Sequence, residues 1–174
     1  MAKDPKPVVS VESVNIREAD LDHREHQQAV VDLLNAYAQD PMGNGRALSD
    51  RVRRELIPGL QQHPTAIIFL AFHNDKPVGI ATCFKGFSTF AARPLIHISD
   101  FYVLPELRGQ KIGQLILAAV ENRAREIGCC KITLEVQENN HRAQRIYHAA
   151  GFSRAVYVEA AGGALFLCKL LQAS

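Results

Sequence analysis

The residues best equipped for chemistry fall in one window, Asp100-Phe101-Tyr102-Val103-Leu104-Pro105-Glu106-Leu107-Arg108-Gly109-Gln110-Lys111-Ile112-Gly113-Gln114. An apolar run reaches a proline, a short basic loop with glycines follows, and an amphipathic stretch opens directly behind it. The first N–H groups of a helix have no partner within it and point outward. Together with the helix dipole they form an anion site. Gly109 and Gly113 let the backbone approach a ligand closely, and Arg108 and Lys111 bring charge suited to phosphate. One helix end contributes only about 0.3–2 kcal/mol, so several groups must converge on the anion. The window is neither the GxxxxGK[ST] phosphate loop nor the GxGxxG dinucleotide fingerprint. The same residues also fit a plain strand-to-helix turn with solvated cations.

A second window, Asn140-His-Arg-Ala143-Gln-Arg-Ile146-Tyr147-His-Ala-Ala150-Gly151-Phe152, places Asn140 as a helix N-cap. Tyr147 follows seven residues later on the same helical face. A tyrosine on an apolar helix face is more often core than catalyst.

The elements that must position these windows can be read from periodicity. Val11, Val14 and Ile16 suggest a first strand over 10–16. Val30, Leu33, Leu34 and Tyr37 recur at helical spacing within 21–37, and the Asp40-Pro41-Met42-Gly43 turn formers stop that helix. Ser49 can cap a second helix over 50–61. Residues 65–72 and 78–84 form a hairpin, and 95–103 a third strand ended by Pro105. A helix over 109–127, a strand over 131–136 and a helix over 140–149 follow. Residues 153–158 and 164–170 read as a terminal hairpin. Residues 1–9 read as a loose tail. The expectation is one α/β domain over 1–174, with strand-helix-strand units in its second half.

The 174 residues are 47% hydrophobic and 22% charged, with a net charge of +2. That excludes a disordered chain. A pI of about 8.4 argues against a dedicated nucleic-acid binder. No apolar run reaches the ~18 residues of a membrane span. Cys83, Cys129, Cys130 and Cys168 match no CxxC metal pattern, so they read as buried, reduced thiols in a cytoplasmic protein with no metal. Arg46, Arg51, Arg53 and Arg54 read as a solvated helix face, with contact to an acidic acceptor or RNA as the alternative. Phe84, Phe87 and Phe90 read as core or as walls of an acceptor pocket.

The two windows together resemble the GNAT superfamily of acetyl-CoA-dependent N-acetyltransferases. The family pattern is an aromatic-rich strand, Val and Pro, then Arg-Gly-x-Gly-x-Gly, and after about 25 residues Asn-x-x-Ala-x-x-x-Tyr-x-x-x-Gly-Phe. Val103, Pro105, Arg108, Gly109, Gly113, Asn140, Ala143, Tyr147, Gly151 and Phe152 match it. Lys111 stands at the usual central glycine. The strand Asp-Phe-Tyr-Val is most similar to the spermidine/spermine N-acetyltransferase branch, but Ser99 stands where that branch has an assisting glutamate.

The resemblance implies a mixed, mostly antiparallel sheet of about six or seven strands flanked by about four helices. It implies acetyl-CoA as co-substrate. The backbone of Phe101, Tyr102 and Val103 would pair with the pantetheine arm. Residues 109–114, with Gln110, Ile112 and Gln114 among them, would cradle the pyrophosphate beside Arg108. Asn140 and Ala143 would line the cofactor groove, and Tyr147 would act as general acid at the thioester sulfur. The expected partners are a small amine and a second copy of the chain, without nucleic acid or membrane. Rival readings are a non-catalytic acyl-CoA-binding module and a protein or peptide N-acetyltransferase.

In such a reaction an amine attacks the acetyl carbonyl directly. An alkyl amine of pKa about 10.4 is neutral about once in a few thousand molecules at pH 7, a cost of roughly 4–5 kcal/mol. A proton acceptor is therefore needed. Asp100 is the first candidate, with His97 and Glu135 behind it. Strand alternation puts His97, Ser99 and Phe101 on one face and Asp100 and Tyr102 on the other. Asp100 and His97 share a face only if the strand is bulged. Between residues 12 and 40, Arg17 and Arg24 stand against Glu12, Glu18, Asp20, Asp22, Glu25, Asp32 and Asp40. That acidic excess favours a cationic acceptor.

Overall fold

A computed structural model describes residues 13–171. The tail expected over 1–9 and the start of the first expected strand lie outside them. The chain divides after Leu134 into two compact units.

The first unit is built on a five-stranded sheet in the order β1-β2-β3-β4-β5: β1 Val14–Glu18, β2 Ala66–His73, β3 Lys76–Ser88, β4 Arg93–Val103 and β5 Ile132–Leu134. The first four strands run antiparallel, and β5 pairs parallel to β4. A parallel neighbour requires a crossover, which α3 (Ile112–Glu126) supplies.

Helices α1 (Arg24–Gln39) and α2 (Asp50–Gln61) cover one face. Val30, Leu33 and Leu34 of α1 and Ile57 of α2 pack there with Ile68, Leu70, Ile80 and Tyr102. The helical spacing of the apolar residues in α1 is what makes that contact. Ser49 caps α2 by accepting from Val52 N at 3.3 Å. On the other face α3 buries Ile112, Ile116, Leu117 and Val120. Gly79 of β3 allows that approach: a Cβ there would lie 2.9 Å from Ile116 Cδ1.

The second unit holds α4 (His141–Ala149) and a small pair of strands, β6 Val156–Val158 and β7 Gly162–Gly163. The main sheet therefore has five strands, where six or seven were expected. In the terminal hairpin a short 3-10 turn, Glu159–Ala161, leads into Gly162 at φ +75°. Pairing stops soon after, with Ala164 N donating to Ala155 O at 2.9 Å. Residues 164–170 form no strand, and Leu165, Phe166 and Leu167 are exposed. A two-stranded pair this short has little independent stability.

Two further expectations change. Phe87 and Phe90 are 62% and 99% exposed, because β3 runs on past the helical cover into its hairpin. Cys83 is buried and its thiol is pushed up to about 12, first by burial and then by nearby carboxylates. Cys168, in contrast, is exposed. Arg51, Arg53 and Arg54 are exposed on α2, as read, whereas Arg46 is exposed in the bend before the helix begins.

Candidate active site

The partners of β4 divide it at Ser99. Thr82 pairs with Asp100 while Cys83 pairs with Ile98, so Ser99 is an extra residue, a β-bulge. The ladder to β5 covers Ile96–Ile98 and ends there. The bulge resets the alternation of side chains. The register Ile80↔Tyr102, Thr82↔Asp100 and Phe84↔His97 sets Asp100 and His97 on one face, the face covered by α1 and α2. Simple alternation separates them, and Ser99 removes that separation.

Asp100 is half-buried, and burial pushes its carboxyl above the ordinary carboxylate range. The Thr82 hydroxyl opposite pulls part of the way back. Thr82 Oγ1 is itself buried and outside well-aligned hydrogen-bond geometry. A raised carboxyl is a stronger base. His97 Nδ1 lies 2.9 Å from Thr133 Oγ1 on β5. Glu135 is exposed and opens the second unit.

Tyr37 of α1 also belongs to this cluster. Its ring lies 5.5 Å from that of Tyr102. Burial, then the charges of Asp100 and Asp40, push its phenol up. By sequence Tyr37 reads as helix-face packing, and Asp40 as a turn former and part of the acidic excess. Neither spacing nor residue type connects them to Asp100 and Tyr102, about sixty positions along the chain.

Beyond β4, Pro105–Leu107 make one 3-10 turn anchored by buried Leu107. Gly109 has φ +89°. Lys111 occupies the N-cap position of α3 at φ +63°, the left-handed region, and its side chain is exposed. The backbone thus holds the conformation of a glycine, at a cost of about 1–2 kcal/mol for a residue with a Cβ. No side chain caps α3, and its first turn carries no acid. Ile112 and Gly113 are buried, Gln110 is half-buried and Gln114 is exposed.

Arg108 turns inward. Its Nη2 donates to Asp40 Oδ2 at 2.6 Å and its Nε to Val103 O at 2.8 Å. Its guanidinium sits 5.2 Å from the centre of the Tyr102 ring. Phe101 and Val103 pair with Ala81 and Gly79, on the α3 face.

In the second unit Asn140 caps α4, its Oδ1 accepting from Ala143 N at 3.2 Å. Tyr147 is buried with its ring 5.8 Å from that of Phe152. Phe152 N donates to Tyr147 O at 2.9 Å, which Gly151 at φ +87° permits. The caps at Asn140 and Ser49 were legible from residue type; the Ser99 bulge was not.

Among the described residues no group of three or more His, Cys, Asp or Glu is arranged to hold a metal. No helix among them is long and apolar enough to cross a membrane. A cavity of about 580 Å³ lies at the end of β1 and the start of β2, with Glu18, Asp20 and Asp22 among its lining. None of its lining residues comes from β4 or the loop beyond it.

Residues 28–152 match the acetyltransferase (GNAT) family, and the chain belongs to that family. It is 39% identical over 74 residues to the thialysine N-epsilon-acetyltransferase of Bos taurus, covering 42% of this chain and 43% of that protein. It is 33% identical over 86 residues to the aminoalkylphosphonate N-acetyltransferase of Salmonella typhimurium, covering 49% and 56%. The chain thus spans about half the length of the curated relatives it matches. A solved structure described as a probable acetyltransferase shares the fold, with a TM-score of 0.74 at 21% identity over 92% of this chain and 98% of that one.

Proposed function

We propose that this protein moves an acetyl group from acetyl-CoA to a primary amine by direct attack, with both substrates bound together. The observation that carries this reading is β4. One strand presents a carboxylate with a raised pKa at its bulge and then runs into a loop that leaves the start of α3 without a side-chain cap. The family match extends across both units, which supports a single acetyltransferase domain.

Asp100 takes the proton from the ammonium acceptor, directly or through water, and the free amine attacks the acetyl carbonyl. The C–S bond breaks as the new C–N bond is completed, and CoA leaves as a thiolate. The attacking nitrogen, now positively charged, gives up its second proton to water as the amide forms. Tyr147 donates a proton to the thiolate, whose pKa of about 8.5 makes the step a modest one, and regains that proton from solvent. The N–H groups at the start of α3, with residues 109–114, hold the pyrophosphate. Phe101, Tyr102 and Val103 run beside the pantetheine arm, and Asn140 and Ala143 line the groove. Holding the two substrates together supplies much of the remaining rate.

The acceptor in this reading is a small cationic amine, as in the spermidine/spermine-like branch. The acidic excess of residues 12–40 that is left after Asp40 pairs with Arg108 and Glu18 with Arg123 supports it, as does the similarity to a thialysine acetyltransferase. The test is thiol release from acetyl-CoA with a panel of polyamines, amino acids, aminoalkylphosphonates and peptides at pH 7–9. Turnover with cationic small amines is expected. Tight CoA binding without turnover on any amine would leave a binding module instead.

A further inference from the structure

We propose that Asp40 and Arg108 form a positioning pair that sets the shape of the anion loop, which makes Asp40, at the end of α1, a determinant of acetyl-CoA affinity. The inference rests on the acetyl-CoA reading above and refines it, since Arg108 then serves the phosphates without touching them.

The pair is well buried, with side chains 21% and 6% exposed for Arg108 and Asp40. Three contacts fix the guanidinium: Asp40 Oδ2, the Val103 carbonyl at the end of β4, and the Tyr102 ring. Asp40 is fixed from its own side. Its Oδ1 accepts from Met42 N at 2.9 Å and its carbonyl from Gly43 N at 2.8 Å. Gly43 lies so close to the last turn of α1 that a Cβ would fall 2.1 Å from Tyr37 O. The end of α1 is therefore a braced platform, and Arg108 is bolted to it. The next residue, Gly109, opens the loop at φ +89°, and Lys111 holds a second left-handed turn before α3 begins.

The charge of Arg108 is already matched by Asp40, so an incoming diphosphate relies on the backbone N–H groups and on Lys111. The arginine contributes by holding the loop in the shape that aims those N–H groups. Removing one partner strands the other as a buried, unpaired charge, and the loop has to move to solvate it.

The test compares Asp40→Asn, Arg108→Gln and the double variant. It reads the Kd for CoA by calorimetry, kcat at saturating acetyl-CoA, and amide hydrogen exchange over residues 109–113. Each single variant is expected to weaken CoA binding roughly tenfold, with the double variant no weaker than the worse single one, the signature of coupled residues. Loop exchange should accelerate in all three, while kcat changes much less than Kd. An Arg108→Gln loss with Asp40→Asn at wild-type affinity, or tighter, would overturn the inference and make Arg108 a direct phosphate ligand. If a neutral variant fails to fold, Asp40→Glu and Arg108→Lys keep the charges with altered reach. These should give intermediate affinity and exchange, and wild-type values for both would also overturn the pair. Should the wild-type chain bind no CoA, the acetyltransferase reading fails on its own. Unchanged loop exchange in Asp40→Asn would still refute the positioning role separately.

Discussion

The two halves of β4 belong to one continuous strand and are held differently. Residues 93–98 pair with β3 on one side, and residues 96–98 pair with β5 on the other. The imidazole of this half is engaged across the ladder, His97 Nδ1 lying 2.9 Å from Thr133 Oγ1. After Ser99 the ladder to β5 has ended, the polar side chain is a carboxylate raised by burial, and the strand runs into a loop with two left-handed residues. The first half resembles the interior of an ordinary sheet. The second half keeps features that cost stability: a half-buried carboxylate, a lysine at positive φ and a helix start without a cap. Such costs collect where a chain binds or reacts.

Changing one polar group in each half should separate them most strongly. Asp100→Asn is expected to lower kcat/KM by about 10²–10⁴, the range for loss of a general base. His97→Asn removes a sheet hydrogen bond worth about 0.5–1.5 kcal/mol of stability and should leave the chemical step largely intact. Equal losses of kcat/KM would erase the distinction.

Further along the second half, Gly113→Pro deletes an N–H at the start of α3. CoA affinity should fall about 10–100-fold, the loss of a hydrogen bond to a charged group. Unchanged affinity by calorimetry would remove the anion from that helix end. Tyr147→Phe is expected to slow turnover by only about tenfold, because the leaving thiol needs less help than an amine does. Smallest is Lys111→Gly. Relief of the left-handed strain should raise unfolding stability by about 1 kcal/mol, read by chemical denaturation. A loss of stability would mean that the lysine side chain does more than occupy a glycine's position.

Much of this second half could be read from the chain in advance. Pro105, Gly109 and Gly113 mark a strand that stops and a helix that starts, because each residue has a local backbone consequence. Ser49 and Asn140 identified two helix starts for the same reason. Ser99 carries no such mark. A bulge of this kind is decided by how two strands fit together, so neither glycine nor proline announces it. The Arg108–Asp40 pair joins residues 68 positions apart, beyond any local pattern. Phe87 and Phe90 show the converse, since apolar composition suggested burial where the hairpin leaves the helical cover.

Whether Asp100 accepts the amine proton is tested by the pH dependence of kcat/KM for the wild type and Asp100→Asn with one small cationic amine. The folded pKa of Asp100 is raised, so the base is lost as pH falls through a value above the usual ~3.9. The same shift works against stability. A folded carboxyl that holds its proton more tightly is best accommodated below its unfolded pKa, and stability declines as pH rises through the folded one. Asp100→Asn should therefore melt higher than the wild type at pH 7 and lose that advantage in acid. The predicted result is an acidic limb in the wild type that disappears in a slow, more stable variant. The same limb in both proteins, at comparable rates, would contradict the account.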